Sequence, residues 1–205
     1  MPKGNVDKDI VIAETAALAN EIGFSNVTLK QIAERLHIKT PSLYNHITSL
    51  DELKQRLMVY GWEELTGELT GVLIGESGDE AIRLASNAFY EYALANPGVF
   101  EAMAFTKRND RNMNAEASQK FMRILFKVLG KRNIGKENAE KIMRMARSYL
   151  EGFALLVNHD AFDTGLIPLK ESFDFGVDAI IDCIHKLEEE EKQKNGTEDQ
   201  EPLQI

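Results

Sequence analysis

The sequence predicts an all-α chain in which an N-terminal three-helix head is joined by a fourth helix to a larger helical body. Three observations carry that prediction. Apolar residues recur at three- and four-residue spacing along most of the chain. Helix start and stop residues bracket those stretches, and no segment alternates apolar and polar side chains as a half-buried strand does. The expected division is residues 1–53 for the head, 54–190 for the body and 191–205 for a disordered acidic tail.

The elements follow in order. Asp7 to Ile22 reads as a first helix with Ile10, Ala13, Ala17, Leu18 and Ile22 on its apolar stripe, and Gly23 stops it. Thr28, with Gln31 three residues on, offers a capping box for a second helix over Leu29 to Leu36. Thr40-Pro41 opens a third helix, because proline at the first helical position loses no needed hydrogen bond. Leu43 and Ile47, four apart, turn inward and leave Ser42, Tyr44, Asn45 and His46 outward.

Asp51 and Glu52 begin the fourth helix, where negative charge suits the N-terminal dipole. Gly61, Gly67, Gly71 and Gly75 leave two readings of its later part: a frayed end, or close approach of a neighbouring helix. Further helices are expected over Asp79 to Ala95 and from Pro97 through Phe105, with Lys107 to Asn114 as a loop. Three more follow, over Ala115 to Gly130, Lys136 to Asn158 and Leu169 to Glu191. In the last, Phe173, Val177, Ile180, Ile184 and Leu187 alternate four and three apart, the spacing of a seam for another helix. The acidic end, with little apolar content before Leu203, is expected to be disordered.

Composition bounds the function. The 205 residues, 43% hydrophobic and 28% charged, are ordinary for a soluble globular protein. The single cysteine, Cys183, excludes an intramolecular disulfide and fits a reducing compartment. MPKGNVDKDI lacks the apolar core of a signal peptide, and the apolar run Gly152 to Val157 is far too short to span a bilayer. A cytoplasmic protein without a membrane partner is expected. The net charge is −9, yet residues 1–60 balance seven basic against seven acidic side chains, so the remainder carries the deficit. A neutral head on an acidic body permits DNA binding if its cations share one face.

Catalysis finds no support. His37, His46, His159 and His185 show no metal-ligand spacing with one another or with Cys183, and no phosphate loop follows a strand. No enzyme activity, metal or cofactor is expected.

The stretch Thr28-Leu-Lys-Gln-Ile-Ala-Glu-Arg-Leu-His-Ile-Lys-Thr-Pro-Ser-Leu-Tyr-Asn-His-Ile, followed by Asp-Glu-Leu, resembles the TetR family of bacterial transcriptional regulators. The family pattern is Thr, then Ile-Ala-x-x-Leu-Gly-Val, Leu-Tyr-x-His-Phe and Lys-x-x-Leu, and the likeness covers about residues 7–57. Ser148-Tyr-Leu-Glu-Gly-Phe and Glu171-Ser-Phe-Asp-Phe-Gly-Val look like a C-terminal ligand-binding domain of that family. The resemblance implies an all-helical homodimer whose first three helices form a helix-turn-helix head and whose later helices enclose an effector pocket. Three positions depart from the pattern: His37 replaces the usual glycine, Ile47 an aromatic, and Leu50 a lysine that would contact a phosphate.

By resemblance and outward position, Thr28, Ser42, Tyr44 and His46 are phosphate-contact candidates. Lys30, Lys39, Thr40, Pro41 and Asn45 are candidates for base edges, Lys30 toward guanine acceptors and Pro41 toward a thymine methyl. For Lys39 and Asn45 a merely solvated face is an open alternative. The expected effector pocket takes Trp62, Phe100, Met103, Phe121, Tyr149 and Phe153, with Asn87 and Arg147 as polar anchors. Phe173, Val177, Ile180 and Ile184 are expected at the dimer interface. The function expected is a ligand-responsive homodimeric repressor, released from a palindromic double-stranded DNA operator by a small, mostly apolar effector. A helical small-molecule binding protein with a vestigial DNA-binding head is the alternative.

Overall fold

The computed structural model of the chain describes residues 6–105, 113–162 and 165–198, and among them the regular elements are all helical. In order they are α1 (Lys8–Ile22), a 3-10 turn (Phe24–Asn26), α2 (Leu29–Arg35), α3 (Thr40–Leu43), α4 (Leu50–Val72) and α5 (Gly78–Ala95). They continue as α6 (Pro97–Phe105), α7 (Met113–Leu129), α8 (Gly135–Asn158) and α9 (Leu169–Glu198). Of the expected loop Lys107 to Asn114, residues 107–112 lie outside the described residues, and α7 has begun by Met113. The chain divides into two compact units, Met1–Glu68 with Glu91–Phe121, and Leu69–Tyr90 with Met122–Ile205.

In the first unit the local signals act as their chemistry dictates. The Asp7 side chain accepts from the Ile10 amide at 2.8 Å and caps α1. The Thr28–Gln31 capping box is complete, with Thr28 N donating to Gln31 Oε1 at 3.0 Å and Gln31 N to Thr28 Oγ1. Gly23 ends α1 at φ +83°, a backbone setting that side chains resist. The buried face of α1 differs from expectation. Val11, Thr15, Ala16, Leu18 and Ala19 turn inward while Ile10 and Ala13 are exposed. The segment IVIAETAALA is apolar almost all round, so its own periodicity does not fix a rotation and packing decides.

The α4 glycines divide between the two readings. A methyl on Gly61 would lie 2.6 Å from Met103 Sδ and 2.7 Å from Val99 Cγ1, so this glycine admits α6 at close range. Gly67 and Gly71 face open space, and the helix stops at Val72, with Gly75 at φ +83° beyond it.

In the second unit α8 and α9 run side by side in opposite directions. Ile142 and Met143 of α8 form one core with Ile180 and Ile184 of α9, joined by Leu129 and Ile134. Gly176 faces Tyr149, whose ring occupies the space a side chain would need. Arg132 clasps Glu188 through Nε at 2.7 Å and NH2 at 2.9 Å and reaches Asp79 at 2.6 Å, tying the α7–α8 turn to α9 and to the first turn of α5. Helix α9 runs on to Glu198, seven residues past Glu191, into the segment expected to be disordered; residues 199–205 lie outside the described residues. Glutamate, lysine and glutamine are strong helix formers, and Lys194 pairs with Glu191 at 3.2 Å.

Candidate nucleic-acid interface

The head is set by a short chain of contacts. Arg35 on α2 donates Nε to Glu14 at 2.6 Å and NH1 to Glu21 at 2.7 Å, stapling α2 to α1. Those hydrogen bonds from Arg35 hold the Glu21 carboxyl below its usual range, and the same pairs raise Arg35. Ile32 and Ala33 of α2 and Leu43 and Ile47 around α3 are buried. Between the helices the chain turns at His37, which takes φ +54° although it carries a side chain. The residue that stands in place of the usual glycine thus takes the left-handed setting itself, at a cost on the order of 1–2 kcal/mol.

Helix α3 is shorter than the expected span but its turn continues. Tyr44, Asn45 and His46 donate to the carbonyls of Pro41, Ser42 and Leu43 at 3.3, 3.2 and 2.8 Å, and Ile47 donates to Leu43 at 3.1 Å. These tight bonds carry residues 40–47 through two turns and fix which side chains look out. Thr28, Lys30, Lys39, Pro41, Tyr44 and Asn45 are exposed, and Thr40, Ser42 and His46 are half-buried. Tyr44, 56% exposed, presents its phenol on that surface.

Charge on this surface is modest. Arg35 is committed to two glutamates and Arg56 to Glu52 at 2.6 Å, whereas Lys30 lies 3.8 Å from Glu34 with both largely in solvent. Lys54 sits over the Phe24 ring at 5.0 Å. Before α4, Ser49 Oγ accepts the Glu52 amide at 3.0 Å, and Thr48 donates both N–H and hydroxyl to Glu52. Burial works to raise the Glu52 carboxyl, but the bonds from Thr48 and Arg56 outweigh it and hold it below its usual range. Leu50 thus begins a well-capped helix without supplying a cation.

The eight expected pocket residues separate. Trp62, Phe100, Met103 and Phe121 are buried in the first unit, where Trp62 and Phe121 meet with ring centroids 5.2 Å apart. Asn87, Arg147, Tyr149 and Phe153 belong to the second unit. There Phe153 meets Tyr149 at 5.7 Å, Phe173 at 5.5 Å, Tyr90 at 6.1 Å and Phe162 at 4.9 Å. Tyr149 donates its hydroxyl to the carbonyls of Ser172 and Phe173 at 3.1 and 2.9 Å, and Arg147 pairs with Glu151 at 2.6 Å. Beside Phe162 lies a cleft of about 370 Å³ lined by Val157, Asp160, Gly165, Ile167, Pro168 and Leu169. Tyr90 was missed because it stands off the apolar stripe expected for α5, and Phe162 because it lies in the connection after α8, where no helical period applies.

The expected dimer seam requires correction. Phe173, Val177, Ile180 and Ile184 are only 0%, 2%, 6% and 0% exposed within one chain. They are the face by which α9 packs on α8, and a face so covered is closed to a second copy. The apolar side chains left in solvent lie elsewhere on the same pair: Phe175 on α9, 78% exposed, and Met145 and Leu156 on α8. Ser148 and Gly152 stand between the last two, and a methyl built on Gly152 meets no atom within 4 Å.

Comparison with known proteins places this geometry. Residues 11–57 match the family model described as bacterial regulatory proteins, tetR family. Residues 82–180 match the model of the tetracyclin repressor-like C-terminal domain. The chain is similar to YobS of Bacillus subtilis (strain 168), an uncharacterized HTH-type transcriptional regulator, with 26% identity over 162 residues, covering 79% of this chain and 84% of that protein. In fold it resembles a protein of unknown function from Rhodococcus sp. RHA1, with a TM-score of 0.74 at 19% identity, covering 87% of this chain and 95% of the other. It also resembles a TetR variant from Acinetobacter baumannii AYE solved with minocycline, with a TM-score of 0.67 at 22% identity, covering 90% and 99%.

Proposed function

The chain belongs to the TetR family of DNA-binding transcriptional regulators, and from that premise we propose that it is a homodimeric repressor released from a palindromic operator by a small, mostly apolar effector. The observation that carries the DNA-reading half is the head surface. It exposes Thr28, Lys30, Lys39, Pro41, Tyr44 and Asn45 and leaves Thr40, Ser42 and His46 half-buried. On this reading Thr28, Ser42, Tyr44 and His46 hold phosphates, and Lys30, Lys39, Thr40, Pro41 and Asn45 meet base edges. The reaction is binding, with no catalytic step, and it takes place where the chromosome is, in the cytoplasm. Among the described residues no helix is long and apolar enough to cross a membrane.

The dimer reading is supported by the uncovered face of α8 and α9. Met145, Ser148, Gly152 and Leu156 follow one another at three and four residues, with Phe175 and Ala179 exposed on α9. Small residues between large apolar ones let two copies approach closely in an isologous contact. Two heads then meet successive half-sites about one helical turn of DNA apart. The effector reading is supported by the aromatic cluster of Tyr90, Tyr149, Phe153, Phe162 and Phe173, with the cleft beside it. The fold neighbour solved with minocycline is in keeping with a small-molecule effector. Effector binding favours a state whose heads no longer match the two half-sites.

Selection of duplexes from a random-sequence pool by the full chain tests the reading. The expected outcome is an inverted repeat with half-sites about one turn apart, bound by two chains. Recovery of no preferred sequence at low salt, alongside tight binding of a hydrophobic dye, favours a small-molecule binder with a vestigial head.

A further inference from the structure

The first unit contains α6 as well as the head, and the contact between α1 and α6 is unusual in its chemistry. Asn96 stands immediately before Pro97 and is the residue placed to cap α6. A capping asparagine ordinarily turns its oxygen to the amides two and three positions on. Here Asn96 Oδ1 instead accepts from Asn20 Nδ2 at 3.1 Å, and its Nδ2 donates to the Tyr92 carbonyl at 3.2 Å. The amides of Gly98 and Val99 donate to Asn20 Oδ1, at 3.0 and 3.1 Å, so the cap of α6 comes from α1. Two N–H donors on one atom fix the orientation of the Asn20 amide.

Steric contact reinforces the cap. A methyl on Gly98 would fall 2.0 Å from the Ala19 carbonyl oxygen and 2.8 Å from the Asn20 amide nitrogen. Those are backbone atoms inside α1 and have no side-chain freedom to move aside. Glu101, one turn further along α6, accepts the Phe24 amide at 3.3 Å just past the end of α1. Four bonds and one close approach therefore seat the C-terminal end of α1 on the start of α6. From α1 the Arg35 staple to Glu14 and Glu21 carries that seat to α2, and the His37 corner carries it to α3.

We propose that Asn20 and Gly98 are positioning residues for DNA reading: they set the placement of the DNA-facing surface through α6, without touching DNA themselves. The proposal rests on the DNA-binding reading of the head. It separates this role from that of the outward residues of α3.

The test uses the full chain and a duplex that the unaltered chain selects from a random-sequence pool, beside a scrambled duplex of equal length. Asn20→Ala and Gly98→Ala are expected to bind the selected duplex about tenfold more weakly, the scale of one mismatched base pair, with scrambled-duplex binding unchanged. Asn20→Asp keeps an acceptor for the Gly98 and Val99 amides but loses the donor to Asn96, so it is expected to bind more weakly than the unaltered chain and more tightly than Asn20→Ala. Helix content by circular dichroism reports the folded fraction, and where Gly98→Ala lowers it, the two Asn20 variants decide. Unchanged selected-duplex affinity in folded Asn20→Ala overturns the proposal. An equal loss on both duplexes, or Asn20→Asp as weak as Asn20→Ala, also overturns it. Failure of the unaltered chain to select any duplex overturns the DNA-binding reading together with the proposal, and is thereby distinguishable.

Discussion

The Tyr149 ring lies where a side chain on Gly176 would have to go: a methyl there would sit 2.1 Å from Tyr149 Cζ and 2.2 Å from its hydroxyl oxygen. The ring is not free to yield, because its hydroxyl is bonded to the Ser172 and Phe173 carbonyls and its face stacks near Phe173 at 5.8 Å. Gly176→Ala should therefore destabilise the fold by about 1–3 kcal/mol, the usual cost of overpacking. Chemical denaturation measures it. A second change, Tyr149→Ala, should make the two losses less than additive, and strict additivity contradicts the collision.

At the His37 corner the prediction has the opposite sign. Glycine accepts φ +54° without the clash that a Cβ brings, but loses more conformational freedom on folding. The net expectation for His37→Gly is a gain of about 0.5–1 kcal/mol, with operator affinity retained. A lowered midpoint in urea would show that the imidazole makes a contribution larger than the strain.

Tyr44 is exposed and held at the end of the α3 turn by its own amide bond to Pro41. Tyr44→Ala should leave the melting temperature within about 1–2 °C, as surface changes do. It should weaken binding to the selected duplex, because a phosphate-positioning hydroxyl and ring are removed. A titration that superimposes on that of the unaltered chain removes Tyr44 from the interface.

Phe175→Glu and Leu156→Glu place charge on the uncovered face of α8 and α9 while leaving the chain's internal seam intact. Sedimentation should show a shift from two chains to one at micromolar concentration, with helix content preserved. A desolvated, unpaired carboxylate at an interface costs several kcal/mol, enough to part an ordinary homodimer. Unaltered dimerisation of both variants would place the contact on another surface.

Burial raises the Tyr92 phenol well above its ordinary value near 10, with Glu64, Tyr60 and Glu68 acting in the same direction. An unfolded tyrosine loses its proton near pH 10, whereas the folded one, 4% exposed, keeps it. Above pH 10 the folded state then binds more protons than the unfolded one, so stability falls as pH rises. Tyr92→Phe should flatten that alkaline limb in urea melts at pH 9 to 11, and identical slopes in the two proteins would contradict it.

Much of the architecture was legible in the chain itself, because helix ends are set by bonds between residues three or four apart. Asp7, the Thr28–Gln31 box, Gly23, Pro41 and Pro97 place their helix ends within a residue or two of the expected positions. Of the outward set expected on α3, Tyr44 and Asn45 were legible for the same reason, opposite the buried Leu43 and Ile47, while Ser42 and His46 are half-buried. The tertiary structure decided what depends on a distant segment arriving. It chose Val11 and Ala19 over Ile10 and Ala13 on α1, and it turned the Phe173–Ile184 stripe toward α8, leaving Phe175 outside. It also joined Asn20 to Asn96 and Gly98, across 76 and 78 positions of chain. A local capping signal names its partner by spacing. An apolar stripe or a lone asparagine does not, and only the folded chain supplies the neighbour.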